Sequence, residues 1–273
     1  MKRGKEVRSV EDPAALWQQK LQGGGYEHHC QNRRQFRQLR KLPRVWRVIL
    51  RATGVRKGAK IFEVGCGGGI HLVRLRLNGF DVTGIDVSQD VIQRAKNFIE
   101  EVRRFDPSVE SIKLMVGDFM KLNLEEIFIQ RAHYDLVFNA GVIEHYLDLD
   151  DRIEFLKRKL ALTKPGGFIV CIVPAGLHPY RAEQRRLKWG GYDIPEVDYS
   201  PEMLVSELEK AGAHRVRVIY HNIGGYLLAR PVKGWRKIGR NVAYLALQVV
   251  APLMPDGFKR RHAYSYIAIG CKV

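Results

Sequence analysis

A short apolar run in the first third of the chain places an acidic side chain directly before a cluster of glycines. Glu63 lies in the run, and Gly65, Gly67 and Gly69 follow it at alternate positions. Glycines let the backbone turn sharply and approach a ligand closely, and a helix beginning near Ile70 would direct unpaired N–H groups toward that ligand. This arrangement predicts a strand, a turn and a helix that together bind a nucleotide-like molecule.

The spacing of the glycines weakens the case for a dinucleotide. A dinucleotide fingerprint has glycine at the first, third and sixth positions of the turn, and the sixth position here is Ile70. The order Glu63-x-Gly65-x-Gly67-x-Gly69, with an acid two residues before the first glycine, instead resembles the first motif of class I S-adenosylmethionine-dependent methyltransferases.

Two more acidic residues end apolar runs farther along the chain. Asp86 lies 21 positions beyond Gly65, a distance at which a carboxylate can reach ribose hydroxyls and accept two hydrogen bonds from a vicinal diol. A third run ends at Gly117, Asp118 and Phe119. There an acid can accept from an adenine amino group while an aromatic ring covers the base.

Five apolar runs in this order resemble successive motifs of the methyltransferase family over roughly residues 55–175, and residues 213–220 and 264–273 resemble its last two strands. The resemblance implies S-adenosyl-L-methionine as cofactor. It implies that the methionine part is held by Glu63 and the glycine turn, the ribose by Asp86, and the adenine by Asp118 and Phe119, with a backbone contact from Asn139 near the sulfonium. The full set of cofactor-binding residues expected on this basis is Glu63, Gly65, Cys66, Gly67, Gly69, Asp86, Val87, Gly117, Asp118, Phe119 and Asn139.

The alternation of strand and helix signals predicts the fold class. Strands expected near residues 60–64, 81–86, 112–116, 135–139 and 167–173 are separated by helical stretches such as 89–104 and 150–161. This pattern predicts an α/β protein with a mostly parallel sheet and helices on both faces. The family resemblance adds a Rossmann-like, seven-stranded sheet whose last strand is antiparallel. We expect a basic helical N-terminal extension or lid over residues 1–54 and a methyltransferase domain over residues 55–273, with insertions at 174–199 and 222–262.

Candidate catalytic residues follow the fourth strand. His145 is the first candidate for a base, because imidazole titrates near neutral pH, and Glu144 precedes it. A structural role in capping a loop is the alternative for His145. Candidate acceptor-binding residues, placed by the resemblance in the N-terminal extension and in the insertion after the fifth strand, are Tyr26, His29, His178, Tyr180 and Arg181.

The net charge of +17 is distributed unevenly. Residues 1–60 carry 16 Lys and Arg against 4 Asp and Glu, residues 61–179 carry 14 against 17, and residues 180–273 carry 16 against 8. The basic excess therefore lies outside the expected cofactor-binding core. Such flanks attract nucleic acid, anionic lipid or acidic small molecules, or they form an ordinary solvated surface.

The segment 230–262 contains an apolar stretch bracketed by cations and preceded by Trp235. The apolar part, 242–254, is shorter than the roughly 20 residues needed to span a bilayer. Two interpretations remain: packing against the sheet, or peripheral contact with an anionic membrane surface.

The sequence favours a small-molecule or lipid-like methyl acceptor. The residues after Asn139 lack the motif of amino-directed nucleobase enzymes, and Cys171 lies inside an apolar run. An RNA acceptor bound by the basic flanks and a non-catalytic S-adenosylmethionine-binding module remain alternatives. We expect no metal, since the adjacent His28 and His29 would point apart on a helix and no cysteine or aspartate has ligand spacing to them. Scattered cysteines and the lack of a signal-peptide-like run predict a cytoplasmic protein.

Overall fold

A computed structural model describes residues 12–22, 24–123, 132–187, 194–229 and 232–273. The strands are β1 (Lys60–Val64), β2 (Asp81–Asp86), β3 (Lys113–Val116), β4 (Tyr134–Ala140), β5 (Thr163–Pro174), β6 (His214–Ile223) and β7 (Ala263–Cys271). They form one sheet in the order β3-β2-β1-β4-β5-β7-β6. The first five strands pair in parallel, and β7 is antiparallel to both β5 and β6. The predicted mostly parallel sheet with an antiparallel last strand is confirmed.

The helices of the described residues are α1 (Pro13–Leu21), α2 (Arg33–Leu39), α3 (Arg44–Thr53), α4 (Ile70–Arg76), α5 (Gln89–Arg103), α6 (Leu149–Leu162), α7 (Arg181–Arg186), α8 (Pro201–Lys210), α9 (Tyr226–Ala229), α10 (Trp235–Val250) and α11 (Asp256–His262). Local capping explains several starts. Ser88 accepts from the Val91 N–H at the start of α5, and Asp148 accepts from the Asp150 N–H at the start of α6. Helices α1–α3 form the helical N-terminal extension that the sequence predicts.

The sheet has a separate apolar layer on each face. Ile61 and Phe62 are neighbours on β1 and both are fully buried, but they belong to different core clusters, because alternate side chains of a strand point to opposite faces. One layer includes Trp46 of α3 and Phe98 of α5; the other includes Phe155 of α6. This two-sided burial fixes the sheet between helices.

The strand order reverses between β1 and β4, which are neighbours although β2 and β3 intervene in the chain. In an open α/β sheet, ligands bind beyond the carboxyl ends of the strands at this kind of position. The loops after β1, β2, β3 and β4 therefore surround one crevice. Within the described ranges, no helix has both the length and the apolar character needed to cross a membrane.

Candidate active site

The glycine turn after β1 has the geometry that the sequence predicts. Gly65, Gly67 and Gly69 have φ angles of 70°, 51° and 75°, in the left-handed region that side chains disfavour. A Cβ on Gly65 would lie 2.4 Å from Cγ2 of Val142, so this glycine also permits close packing of the loops after β1 and β4. Gly69 is the N-cap of α4. The turn thus brings the backbone against the crevice while α4 begins behind it.

Carboxylates from three adjacent strands line a single cavity. Glu63 on β1, Asp86 at the end of β2 and Asp118 after β3 all contribute to its wall, together with the ring of Phe119. The other predicted cofactor-binding residues on this wall are Gly65, Cys66, Gly67, Val87 and Gly117. The sheet therefore gathers residues from the turns after β1, β2 and β3.

Glu63 provides the clearest sign of a ligand. Its side chain is 1% exposed, and Oε2 has no hydrogen-bond partner among the described residues. Burial, and next the charge of Asp86, raise the pKa of the Glu63 carboxyl well above its ordinary value of 4.5. A buried carboxyl oxygen without a partner is costly, and a cationic amino group at this wall would satisfy it. The methionine ammonium of S-adenosylmethionine has the required charge.

Asp86 is held rigidly by the loops around it. Oδ2 accepts from the Gly67 N–H at 2.9 Å, and Oδ1 accepts from the Ser88 N–H at 3.0 Å. Burial raises the pKa of Asp86, and these backbone hydrogen bonds oppose that effect. The carboxylate is thus oriented by both the β1 and β2 loops and retains lone pairs for a diol. Its assignment to the ribose stays a prediction.

Asp118 and Phe119 form another part of the cavity wall. Asp118 Oδ1 accepts from the Met120 N–H at 2.9 Å, and the other carboxylate oxygen pairs with Lys121 at 3.1 Å. The ring of Phe119 packs edge-on against Phe155, with centroids 5.3 Å apart, and is only 4% exposed. A rigid apolar plate beside an acid is suited to an adenine base.

Asn139 has a different environment from the other predicted cofactor residues. Its side chain is fully buried, and Oδ1 accepts from Lys159 Nζ at 2.7 Å. Lys159 also donates to the Val170 carbonyl at 2.8 Å, and burial lowers its pKa. The cavity wall after β4 is formed instead by Ala140, Gly141 and Val142. The predicted backbone contact from Asn139 stays a prediction, while its side chain ties β4 to α6 and β5.

The N-terminal extension covers the glycine turn. Pro13, Ala14, Trp17 and Leu21 of α1 line the cavity with Tyr26 and His28. A Cβ on Gly68 would lie 2.0 Å from the Tyr26 carbonyl oxygen, so the extension rests directly on the backbone of the turn. The Arg94 guanidinium fixes this segment by donating to the Leu21 and Gly25 carbonyls, both at 2.9 Å.

A second cavity adjoins the first beyond the carboxyl end of β4. The residues that line both are Trp17, Tyr26, Gly141 and His145. The second cavity alone includes Glu144, Glu196, Tyr264 and Ser265. His145 therefore lies at the junction, where a second substrate would meet the cofactor.

Both predicted catalytic side chains are buried at this junction. Burial lowers the pKa of His145, so the imidazole is neutral near pH 7. Its Nδ1 lies 3.1 Å from the Pro195 carbonyl, which can only accept, and Nδ1 therefore carries the proton while Nε2 keeps a lone pair. Burial raises the pKa of Glu144 to about 8, and its Oε2 has no hydrogen-bond partner among the described residues.

Glu196 joins this pair from a distant part of the chain. One ligand atom each of Glu144, His145 and Glu196 lies within 4.8 Å of the others, a spacing that could hold a cation. Arg181 already supplies positive charge there, since its guanidinium lies 2.9 Å from Glu196 and 2.7 Å from Asp198. The Arg181 guanidinium therefore balances part of the negative charge of this cluster.

The predicted acceptor-binding residues occupy different places. Tyr26 lines both cavities. His29 is exposed and lies 3.2 Å from Glu101 on α5, and it lines neither cavity. His178 and Tyr180 pack against Tyr226, with ring centroids 5.4 and 5.2 Å apart. The roles of all these residues in binding an acceptor stay predictions.

Sequence reasoning missed three side chains of the site: Trp17, His28 and Glu196. Trp17 contacts His145 edge-on, with centroids 5.1 Å apart, and His28 takes the position expected of its neighbour. The His28-His29 pair was visible in the sequence, but only the backbone path of this segment, which is neither helix nor strand, determines which ring faces inward. Glu196 gave no local signal.

Comparisons with known proteins agree with this geometry. Residues 29–214 match a family described as a methyltransferase domain. The demethylmenaquinone methyltransferase of Staphylococcus aureus strain MRSA252 is 34% identical over 133 residues, which is 47% of this chain and 49% of that protein. The chain thus matches about half the length of this curated relative.

Solved structures show the same fold. A SAM-dependent methyltransferase from Archaeoglobus fulgidus superposes with a TM-score of 0.55 at 17% identity, covering 86% of this chain and 96% of the other. The phosphoethanolamine N-methyltransferase 2 of Haemonchus contortus, in complex with S-adenosyl-L-methionine, gives a TM-score of 0.55 at 14% identity, covering 97% and 58%. The chain belongs to the methyltransferase domain family, and its fold is that of class I, S-adenosylmethionine-dependent methyltransferases.

Proposed function

We propose that this methyltransferase acts on a small, uncharged or lipid-like acceptor, and that His145 accepts the proton released when the methyl group is transferred. The observation that carries the proposal is the second cavity, which adjoins the cofactor cavity and shares His145 and Trp17 with it. An acceptor held there would lie next to the cofactor, and such positioning supplies much of the acceleration of a displacement reaction.

The lining of the two cavities supports an acceptor without negative charge. The described residues that line them include five acids, Glu63, Asp86, Asp118, Glu144 and Glu196, and no lysine or arginine. A phosphate group would meet repulsion from ionised carboxylates of this lining, and the Arg181 guanidinium beside the second cavity is already paired with Glu196 and Asp198. The basic flanks contribute residues such as Trp17, Tyr26 and Glu196 to these walls but none of their lysines or arginines, so the cavities favour a neutral acceptor over RNA.

His145 and Glu144 suit complementary tasks. The bound cofactor supplies an electrophilic methyl group on a sulfonium. Nε2 of neutral His145 keeps a lone pair that can accept a proton from an acceptor hydroxyl. Protonated Glu144, whose pKa is raised to about 8, can donate a hydrogen bond to a carbonyl or hydroxyl oxygen of the same acceptor.

Aromatic side chains favour a flat acceptor. Trp17, Tyr26 and Tyr264 contribute rings to the second cavity. Rings of this kind stack on planar molecules. The relative from Staphylococcus aureus is named for demethylmenaquinone, a quinone, and this agrees with a planar, lipid-like acceptor. Its name supports the proposal only at the level of acceptor class, because the match covers half of each chain.

The test is transfer of labelled methyl from S-adenosylmethionine to three kinds of acceptor: a prenylated quinol, a simple phenol and a bulk tRNA preparation. We expect label in the quinol or phenol and not in tRNA. His145→Ala should lower kcat about 100-fold or more while cofactor affinity, measured by calorimetry, changes little. The matched control is His214→Ala, which removes an exposed imidazole of β6 outside both cavities.

The pH profile provides a second readout. Burial lowers the pKa of His145 below 6.5, the ordinary value for histidine. The midpoint of the acidic limb in the pH profile of kcat should therefore lie below pH 6.5. Label in tRNA alone, or a His145→Ala enzyme with unchanged kcat on its best acceptor, would refute the proposal.

A further inference from the structure

Helix α10 has its polarity reversed relative to an ordinary surface helix. Two polar side chains in its second half face the protein: Tyr244 Oη donates to Asn222 Oδ1 at 2.6 Å, and Gln248 Nε2 donates to the Ile223 carbonyl. Gln248 also accepts from Arg44 on α3 at 2.6 Å. The helix is therefore held in place by hydrogen bonds, with its polar face turned inward.

Five apolar side chains of α10 face solvent, while Leu247 packs against the core. Trp235, Ile238, Val242, Leu245 and Val249 recur every three or four residues and so lie on one face of the helix. They are between 61% and 77% exposed, and Leu253, just beyond the helix, is 88% exposed. Isolated exposed apolar residues are normal, but a continuous stripe of this length marks an interaction surface.

The charges around this stripe indicate what covers it. From Lys233 to His262 the chain has seven Lys and Arg and one acid, Asp256. Arg236 and Lys237 are exposed in the first turn of α10, and Arg261 is exposed in α11. Cations beside an apolar helix face complement a surface that is apolar inside and negatively charged at its boundary, which describes an anionic lipid bilayer.

A second copy of the chain is a poorer match. The stripe has the spacing of a coiled-coil seam, but the positions flanking it are Gly239, Asn241, Ala246 and Gln248. These residues carry no charge that could select a partner helix or its direction. Gln248 is in addition committed to hydrogen bonds within its own chain.

We propose that α10, together with the cations Lys233, Arg236, Lys237 and Arg261, is a docking surface for anionic membranes, with the helix lying in the plane of the headgroups. The apolar stripe enters the acyl boundary, while the long cationic side chains reach the headgroups. This inference is independent of the acceptor, because neither cavity includes a residue of α10.

The experiment is flotation of the full chain with vesicles of phosphatidylcholine alone and with a roughly 2:1 mixture of phosphatidylcholine and phosphatidylglycerol. We expect flotation with the mixed vesicles. Val242→Ser/Leu245→Ser should weaken partitioning about tenfold or more, since two apolar side chains are lost from the membrane-facing stripe. Both side chains are already exposed, so the melting temperature should not fall. Val273→Ser, at an 81% exposed position outside α10, is the control for loss of an apolar side chain.

Charge is tested with a matched pair of double variants. Arg236→Gln/Lys237→Gln should weaken binding to the mixed vesicles about tenfold or more. Arg33→Gln/Arg34→Gln removes two exposed cations from α2 and has the same net charge as Arg236→Gln/Lys237→Gln. This control variant should bind the mixed vesicles as tightly as the unmodified protein does. Quenching by brominated lipid, compared between the unmodified chain and Trp235→Phe, should show that Trp235 contacts the acyl region.

Three outcomes would overturn the inference. The first is absence of flotation with the mixed vesicles. The second is an equal loss of binding in the two charge variants, which would indicate a nonspecific effect of net charge. The third is a concentration-dependent dimer that Val242→Ser/Leu245→Ser dissociates, without vesicle binding. Calorimetric binding of S-adenosylmethionine should be unchanged in all α10 variants, which separates this test from that of the proposed reaction.

Discussion

Replacing Glu63 by glutamine should have opposite effects on cofactor binding and on stability. The side chain is 1% exposed, with Oε2 lacking a partner among the described residues. Glutamine keeps the shape but removes the negative charge that a cofactor ammonium would meet. A hydrogen bond to a charged group contributes about 1.5–3 kcal/mol, so the affinity for S-adenosylmethionine should fall about tenfold to 150-fold.

The effect of Glu63→Gln on stability follows from the pKa of the carboxyl. Because the folded-state pKa is raised well above 4.5, the folded protein binds this proton more tightly than the unfolded chain does. Stability is therefore lost as pH rises from about the unfolded value toward the folded-state pKa. Glutamine does not titrate, so the variant should melt like the unmodified protein near pH 4.5 and at a higher temperature near pH 8.

The assays are calorimetry for cofactor affinity and thermal melts without cofactor at several pH values. Glu154→Gln is the matched control, since Glu154 is exposed on α6 and its change should alter neither quantity. The reasoning is refuted if Glu63→Gln binds S-adenosylmethionine as tightly as the unmodified protein. It is also refuted if the difference in melting temperature does not grow with pH.

Two further predictions concern the second cavity and the N-terminal extension. Burial raises the pKa of Glu144 to about 8, so Glu144→Gln should stabilise the fold progressively between about pH 4.5 and pH 8; parallel melting curves at pH 5 and pH 8 would contradict this. Gly68→Ala would place a Cβ 2.0 Å from the Tyr26 carbonyl oxygen, and overpacking of about 1–3 kcal/mol should lift the extension and weaken cofactor binding about tenfold. Gly239→Ala, where a Cβ meets nothing within 4 Å, is its control, and equal affinities in the two variants would exclude the proposed contact.

The extension connects the cofactor cavity with the second cavity. Trp17 and Tyr26 line both, and Trp17 also packs against His145. Movement of this segment would therefore change both the exposure of the glycine turn and the surroundings of the candidate base. The contact of Tyr26 with Gly68 makes the turn itself the support of the extension.

The positions of the parallel strands along the chain and the resemblance that indicated the cofactor followed from local sequence. Each parallel strand is a short apolar run, and its ligand-binding residue comes within a few positions of the strand's end, as Asp86 does on β2. Parallel strands end at the same edge of the sheet. The sequence alone therefore predicts that residues such as Glu63 and Asp118 line one cavity, without information about side-chain packing. The distance from Gly65 to Asp86 is set by the length of one helix and one strand.

Contacts between distant segments were decided only by the tertiary structure. The choice of His28 over His29 depends on the backbone path of an irregular segment, and the proximity of Glu196 to His145 depends on how distant parts of the chain pack together. The tertiary structure also decides that the apolar stripe of α10 points to solvent. Periodicity in the sequence defines a stripe such as Trp235 to Val249, but the hydrogen bonds of Tyr244 and Gln248 turn it to solvent. Local patterns fix which side chains share a face, whereas long-range packing fixes what that face meets.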